Sequence, residues 1–356
     1  MNPGFTPKLL QWNAHENSRD MPWKGEKDPY KIWLSEIMLQ QTRVEQGWKY
    51  YENFIKEFPT VHELAGASDE KVFKMWEGLG YYTRCKNLLA TARVISSDYG
   101  GKFPDNYEAI KKLKGIGPYT AAAIASFAFN EAQAVVDGNV QRVIARYFGI
   151  STPIDTTSGK KLFQELAQAL LDKSQPGLYN QAIMDFGAII CKPQNPLCTD
   201  CIQQAECEAY KHNWVKQLPV KEKTLQKKER WLYFFVIESQ NKVYIRKRTG
   251  KDIWENLHEF VLFENDKALD TGFEQLPLLK KVFGKQSFAI RSISKLFRQQ
   301  LTHQTIYGQF ITIQTSKPLT TLNEYQLVER ARLSEFAFPR FINMYLEDSS
   351  GQAQLF

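Results

Sequence analysis

The chain has 356 residues, more than the roughly 250–300 at which a single hydrophobic core usually stops growing, so we expect two domains. No apolar run reaches the ~20 residues of a membrane span, and the first residues lack a secretion-signal layout, which indicates a reducing, cytoplasmic compartment and no membrane. The net charge of +7 favours a polyanionic partner.

Up to about residue 212, apolar residues recur with helical spacing. Asp28 followed by Pro29 is typical of an N-cap and a first helical residue, and predicts a helix that runs through Gln41. The later helices are predicted at residues 44–58, 70–78, 88–99, 107–113, 119–129, 139–148 and 160–172. The fold class is therefore an all-α domain at residues 1–212.

The composition changes after Trp214. Residues 213–229 are polar, basic and contain a proline, which indicates a linker whose lysines lie mostly in solvent. Strands are predicted at residues 231–238 and 243–248, as a hairpin with turn residues 239–242, and again at 306–315. Residues 230–356 should therefore form a second, α+β domain.

Four of the five cysteines lie in one short segment, CKPQNPLCTDCIQQAEC. Their spacing is C-x6-C-x2-C-x5-C, from Cys191 through Cys198 and Cys201 to Cys207. Four thiolates bind either a zinc ion or a four-iron four-sulfur cluster, and the single C-x2-C pair favours the cluster. We interpret the fifth, Cys85, as a thiol that packs a helix.

The segment LKGIGPYTAAAI places Gly115 and Gly117 between two predicted helices. Glycines allow close approach of another backbone, and the amides at the start of the following helix suit a phosphate. An ordinary tight turn between helices is the alternative interpretation.

Two carboxyl groups are candidates for acid-base chemistry. Glu36 lies in a helix that is apolar nearly all round, so burial should raise its pKa and keep it protonated, unless an Arg or Lys pairs with it. Asp137 precedes a predicted helix as its N-cap, and helix-start amides would also keep a carboxylate ionised. A neutral acid beside a charged partner suits cleavage of a glycosidic bond.

Five segments together carry a family resemblance: WLSEIMLQQT, GLGYYTRCKNL, LKGIGPYTA, VVDGNVQRV and NQAIMDFGAIIC. On these motifs the chain resembles the A/G-mismatch adenine DNA glycosylases, the MutY family, over nearly its whole length. The resemblance implies a helix-hairpin-helix glycosylase domain with a [4Fe-4S] cluster in the loop at residues 191–207, held by the four cysteines. It also implies a Nudix-like second domain that recognises 8-oxoguanine, because residues 230–356 lack the Nudix hydrolase signature.

The resemblance further implies roles for individual residues. Glu36 would protonate adenine and assist water, and Asp137 would support the sugar cation. Tyr119 stands where strand-cutting relatives carry a nucleophilic lysine, so water should be the final acceptor. The implied adenine pocket comprises Arg19, Trp23, Lys24 and Gln181, and Lys24 departs from the arginine of some members.

The implied partner is double-stranded DNA with adenine opposite 8-oxoguanine or guanine, bound by a monomer. An adenine must leave the duplex to be reached, and a side chain must fill the gap. The residues implied to contact DNA or 8-oxoguanine are Gln41 and Tyr81 as wedges, Thr42 and Leu79 at the opposite base, Gly115 and Gly117 at the backbone, and Thr302 and His303. Two alternatives stay open: a strand-cutting glycosylase, and a DNA-binding module without catalysis.

Overall fold

The computed structural model describes residues 4–222, 227–269 and 271–353. The chain divides into two compact units: Met1–Gly66 with Lys86–Thr224, and Ala67–Cys85 with Leu225–Phe356. The predicted class, a helical domain and then a sheet-containing domain, is confirmed. The predicted linker at 213–229 includes residues 223–226, which lie outside the described residues, and the grouping of residues 67–85 with the second unit was not foreseen.

Twelve helices precede the first strand among the described residues. None of the helices in the described chain is both long and apolar enough to cross a membrane. The bounds are α1 Phe5–His15, α2 Pro29–Leu39, α3 Val44–Glu57, α4 Val61–Gly66, α5 Asp69–Trp76, α6 Tyr82–Asp98, α7 Tyr107–Lys111, α8 Pro118–Phe129, α9 Gly138–Phe148, α10 Thr157–Leu170, α11 Pro176–Ile189 and α12 Glu208–Lys211.

The predicted helix starts follow the capping residues. The Asp28 carboxylate accepts the Tyr30 amide at the start of α2, with Pro29 as the first helical residue. The helix ends at Leu39, two residues before the predicted end, and Gln41 has a left-handed φ of 57°. The sequence prediction missed α1, α4, α11 and α12.

The core of the first unit forms around α8, α9 and α11. Large side chains fill it, among them Trp12, Phe163, Tyr179 and Phe186. Because α11 is buried on nearly every side, its few polar residues lie in the interior of the unit. The same packing places one face of α2 and the start of α9 at the same cavity.

The second unit is built on an eight-stranded sheet in which β1 and β7 form a parallel pair of twelve residues. The predicted hairpin and the predicted strand at 306–315 are confirmed. The bounds are β1 Lys228–Ser239, β2 Lys242–Lys247, β3 His258–Glu259, β4 Val261–Asn265, β5 Ala289–Ile293, β6 Phe297–Gln300, β7 Gln304–Thr315 and β8 Gln326–Glu329, with helices α13 Pro277–Phe283 and α14 Arg340–Ala353.

Both faces of the sheet are covered at its centre. Residues 232–237 of β1 are all buried, as expected for a strand between two apolar layers. Tyr233 belongs to the cluster on one face, whereas Phe234 stacks on Phe310 of β7 on the other. The turn between β6 and β7 contains residues 301–303.

Candidate active site

A cavity of about 430 Å³ opens in the first unit, which is a typical size for a small-ligand pocket. Its wall combines residues of α2, α8, α11 and the N-terminus of α9 with the segment between α1 and α2. All of the residues predicted for catalysis and for the adenine pocket line it, together with one predicted DNA contact: Arg19, Trp23, Lys24, Glu36, Thr42, Tyr119, Asp137 and Gln181.

Glu36 contributes a buried carboxyl group to this wall and is only 8% exposed. Burial raises its pKa to about 7; a hydrogen bond from the Tyr119 hydroxyl opposes the rise, and the charge of Asp137 adds to it. Within the described chain no lysine or arginine forms an ion pair with Glu36, so the alternative of a salt-bridged core carboxylate finds no support. Glu36 is therefore a carboxylic acid that holds its proton near neutral pH.

Asp137 caps α9 in the predicted way. Its Oδ1 accepts the Val140 amide at 2.7 Å and its Oδ2 accepts Asn139 Nδ2 at 2.6 Å. Its pKa is nevertheless raised, because burial outweighs these hydrogen bonds. The prediction considered only the helix-start amides, which lower the pKa of Asp137, and left out the larger and opposite effect of burial. Asp137 still receives more hydrogen bonds than Glu36 does, so the negative charge of the pair falls on Asp137.

Tyr119 closes the cavity beside the two carboxyl groups. Burial and both neighbouring carboxyls raise the pKa of its hydroxyl, which therefore stays protonated and donates to Glu36. Its oxygen also lies 3.8 Å from the sulfur of Met184 on α11. No amine stands at this position.

Three of the four residues predicted for the adenine pocket contact a carboxylate that the sequence prediction missed. Asp185 on α11 is fully buried and forms ion pairs with Arg19 at 2.8 Å and with Lys24 at 3.3 Å. It also accepts the side-chain amide of Gln181 at 2.9 Å. An aspartate in the otherwise apolar segment AIMDFGAII was the available signal, since a buried carboxylate requires partners. Lys24 is thus held in the cavity wall and is not a free surface charge.

Trp23 lines the cavity with its indole ring. The ring packs edge-on against Tyr51 at 5.3 Å and lies near Trp48 at 6.2 Å, both on α3. These contacts fix a flat apolar surface in the wall, which is the kind of surface on which a purine stacks.

The predicted hairpin lies between α7 and α8, with both glycines exposed. Gly115 has a left-handed φ of 76°, and a Cβ there would meet Asn87 at 2.6 Å, so only glycine fits. Gly117 is the N-cap of α8, and a Cβ there would meet nothing within 4 Å. This end of the hairpin therefore offers an open backbone at a helix start.

The remaining predicted DNA contacts of the first unit follow α2. Gln41 is exposed and Thr42 reaches the cavity wall. The left-handed backbone at Gln41 is unusual for a residue other than glycine, and such outliers often mark functional positions.

Leu79 and Tyr81 lie in the second unit, in a loop with two left-handed glycines, Gly78 and Gly80. The Tyr81 ring is 40% exposed and its φ is 50°. The Leu79 side chain is only 4% exposed, so its predicted contact with the opposite base is not supported by its position. Arg84 holds the loop by donating to the Gly80 carbonyl at 3.1 Å.

Thr302 and His303 are exposed in the turn between β6 and β7. The turn is closed by the Leu301 amide, which donates to the Gln304 carbonyl at 2.8 Å. The Thr302 hydroxyl lies 2.7 Å from the Tyr81 hydroxyl. The structure thus brings together two residues that the sequence prediction assigned to the same lesion.

The cysteine loop lies against the core of the first unit. Cys191, Cys201 and Cys207 pack on that core, and the four thiols lie close enough to affect one another's charge. Burial raises the pKa of Cys201 to about 12, and the other three thiols add to the rise. Among the described residues, no group of three or more His, Cys, Asp or Glu side chains has the geometry of a metal-ion site.

Two buried arginines of α9 surround the first cysteine. Arg142 and Arg146 donate to backbone carbonyls of the loop, and Arg146 Nη1 also lies 3.5 Å from the Cys191 sulfur. Neither guanidinium forms an ion pair with a carboxylate within the described chain. A group that carries the negative charge of several thiolates would balance them, so the residues present fit such a group.

Cys85 is separate from this loop. It is fully buried in α6, and burial raises the pKa of its thiol well above the usual range. The interpretation as a packing thiol is consistent with this position.

Comparison with known proteins covers both units. Residues 34–170 match the HhH-GPD superfamily base excision DNA repair proteins, and residues 232–348 match the NUDIX domain. The adenine DNA glycosylase of Buchnera aphidicola subsp. Schizaphis graminum is 39% identical over 282 residues, which cover 78% of this chain and 78% of that protein. The human adenine DNA glycosylase is 42% identical over 214 residues, which cover 58% of this chain and 39% of that protein.

Solved structures resemble part of the chain. A thermostable thymine-DNA glycosylase has a TM-score of 0.55 and 34% identity, and the match covers 58% of this chain and 95% of that one. A trapped endonuclease III-DNA covalent intermediate has a TM-score of 0.51 at 19% identity, which indicates a shared fold.

Proposed function

The chain belongs to the adenine DNA glycosylase family, and on that premise we propose that it removes adenine mispaired with 8-oxoguanine or guanine from double-stranded DNA. The observation that carries the proposal is a pair of carboxyl groups that line the same cavity, the buried Glu36 and the helix-capping Asp137. Glu36 holds a proton near neutral pH, and Asp137 beside it carries the charge.

In the proposed reaction an adenine leaves the duplex and enters the cavity. Glu36 donates its proton to the base, which makes adenine a better leaving group as the bond to the sugar breaks. The resulting sugar cation is stabilised by the negative charge of Asp137, and Glu36, now ionised, accepts a proton from the attacking water. A pKa of about 7 suits a group that must both give and take a proton.

The reaction ends with water because the cavity offers no amine nucleophile at Tyr119. A Schiff base with the sugar needs a neutral amine, and the Tyr119 hydroxyl is engaged with Glu36. The proposal is therefore a monofunctional glycosylase. The strand-cutting alternative would require an amine from another position in the chain.

The cysteine loop is proposed to hold a [4Fe-4S] cluster through Cys191, Cys198, Cys201 and Cys207. When bound, the cluster would tie the two ends of the loop together and supply negative charge beside Arg142 and Arg146. None of the proton transfers above depends on it.

The lesion is proposed to be contacted by exposed side chains of each unit. Gln41 and Tyr81 would fill the gap left by the adenine, and Thr302 with His303 would meet the opposite base. The exposure of these side chains supports the proposal, whereas the burial of Leu79 does not.

The test is base release from a duplex with a single adenine opposite 8-oxoguanine, opposite guanine, or opposite thymine. We expect free adenine and an alkali-labile site from the first two duplexes and neither from the third. Equal release from all three, or none from any, would contradict the proposal. Strand cleavage without alkali, with the protein trapped by borohydride, would favour the strand-cutting alternative.

A further inference from the structure

Asp185 contacts four donor side chains, three of which, Arg19, Lys24 and Gln181, line the cavity. Its Oδ1 accepts Arg19 Nη1 at 2.8 Å and Gln181 Nε2 at 2.9 Å. Its Oδ2 accepts Asn17 Nδ2 at 2.9 Å and lies 3.3 Å from Lys24 Nζ. The side chain is fully buried, so these four groups are what replaces water around the carboxylate.

We propose that Asp185 is a positioning residue that fixes the amide of Gln181, and that the amide so fixed makes the pocket select purines with an amino group at C6. The inference rests on the proposed function, because it concerns which base the same cavity accepts. It assigns to Asp185 a role in specificity in addition to its role in holding two cations.

The orientation of the Gln181 amide follows from the chemistry of its partner. A carboxylate paired with two cations offers only acceptor atoms, whereas the glutamine amide has a donor end and an acceptor end. If the amide turned over, its carbonyl oxygen would face Oδ1 of Asp185, and a buried hydrogen bond would become a contact between two acceptors. The NH₂ end therefore points to Asp185, and Arg19, which pairs with the same oxygen, holds that oxygen in place.

The other end of the amide is left for the ligand. Gln181 lines the cavity, and its Oε1 has no hydrogen-bond partner among the residues that the structure describes. An acceptor at this place matches the exocyclic NH₂ of adenine. A purine with a carbonyl at C6, such as hypoxanthine, would present a second acceptor to it, and a site built around a hydrogen bond strongly rejects a base that cannot make it.

The experiment measures single-turnover base release from three duplexes that differ only in the excised base: adenine, hypoxanthine, or unsubstituted purine, each opposite guanine. The wild-type protein should prefer adenine to both. In Asp185→Asn the new amide can donate to Gln181 as well as accept from it, so the Gln181 amide is free to turn over. We expect the adenine-to-hypoxanthine rate ratio to fall by about tenfold or more. Because both rates are measured on the same protein preparation, the adenine-to-hypoxanthine ratio does not depend on the fraction of the protein that is folded.

Two further variants keep the test decisive if Asp185→Asn folds poorly. Gln181→Leu leaves Asp185 with both cations, and it should reduce the preference for adenine over unsubstituted purine by about tenfold. In the Gln181→Leu background, Asp185→Asn should change the adenine-to-hypoxanthine ratio no further. The matched control is Asn17→Ala, which removes a donor to the other carboxylate oxygen and should leave the ratio unchanged.

Either of two results would overturn the inference. One is an adenine-to-hypoxanthine ratio in Asp185→Asn that equals the wild-type ratio. The other is a preference for adenine over unsubstituted purine in Gln181→Leu that equals the wild-type preference. Both require a wild-type protein that releases adenine, so a wild-type protein that releases none would contradict the proposed function instead.

Discussion

The phenol oxygen of Tyr81 lies 2.7 Å from Oγ1 of Thr302, 221 residues further along the chain. Both side chains are exposed, and both belong to the second unit. The Arg84 guanidinium lies over the face of the Tyr81 ring, 5.4 Å from its centre, in a cation–π contact. Tyr81, the proposed wedge, is therefore held at its hydroxyl by Thr302 and at its ring face by Arg84 in the protein without DNA.

Tyr81 should act through its ring more than through its hydroxyl. Removal of the ring in Tyr81→Ala forfeits about 1–3 kcal/mol of stacking, so binding to a mismatch duplex should weaken about 5- to 150-fold. Tyr81→Phe keeps the ring and loses one exposed hydrogen bond, which should weaken binding by no more than about fivefold. The measurement is the equilibrium dissociation constant at fixed salt. Equal losses in the two variants would assign the effect to the hydroxyl.

Glu36 should make the stability of the protein depend on pH. Its pKa is about 7 in the folded chain and near 4.5 when unfolded, so folding takes up a proton between those values and stability falls as pH rises through that window. Glu36→Gln lacks this loss. Relative to wild type, its free energy of unfolding should rise by on the order of 2 kcal/mol between about pH 5 and about pH 8.

Denaturant unfolding at the two pH values checks this prediction. Glu165→Gln is the control, because Glu165 is an exposed carboxylate on α10 and should give no such difference. A stability difference between Glu36→Gln and wild type that does not change with pH would mean that the carboxyl of Glu36 titrates normally.

The four clustered cysteines should be required for bound iron, and the fifth should not. Cys201→Ala removes one ligand, so the purified variant should contain little iron or acid-labile sulfide and should unfold at lower temperature. Cys85→Ala is the control, since Cys85 lies in α6 and outside the cysteine loop, and the variant should leave the iron content unchanged. Iron and sulfide analysis beside thermal unfolding measures both effects. Wild-type protein that contains zinc in place of iron would contradict the cluster assignment.

Tyr119→Lys should add a new reaction. The lysine would lie beside Glu36 in a buried cavity, where desolvation lowers its pKa and makes part of it a neutral amine. We expect borohydride to trap this variant on a mismatch duplex, whereas wild type and Tyr119→Phe should not be trapped. Efficient trapping of wild type would show that another amine performs strand cleavage.

Much of the candidate site could be predicted from local patterns. These patterns involve residues that are close together in the chain, so they can be recognised from the sequence alone. They are the Asp28-Pro29 and Asp137 caps, the glycine hairpin and the cysteine spacing. The missed features depend on distant residues. Helix α11 is apolar nearly all round, so it has no amphipathic period by which to recognise it.

The role of Asp185 and the contact of Tyr81 with Thr302 were missed for the same reason. Asp185 meets donors more than 150 residues away in the chain, and residues 67–85 group with a sheet that begins at residue 228. Periodicity and capping contain no information on such contacts. The pKa of Asp137 could not be predicted either, because it depends on how burial balances the hydrogen bonds to the carboxylate and the charge of Arg142.

If Glu36 is the acid that releases adenine, single-turnover base release should separate wild type sharply from Glu36→Gln. With duplex binding measured in parallel, we predict a rate loss of about 100-fold or more in the variant at nearly unchanged affinity. The wild-type rate should fall as pH rises through about 7, where Glu36 loses its proton. A Glu36→Gln variant that releases adenine at the wild-type rate would show that Glu36 is not this acid.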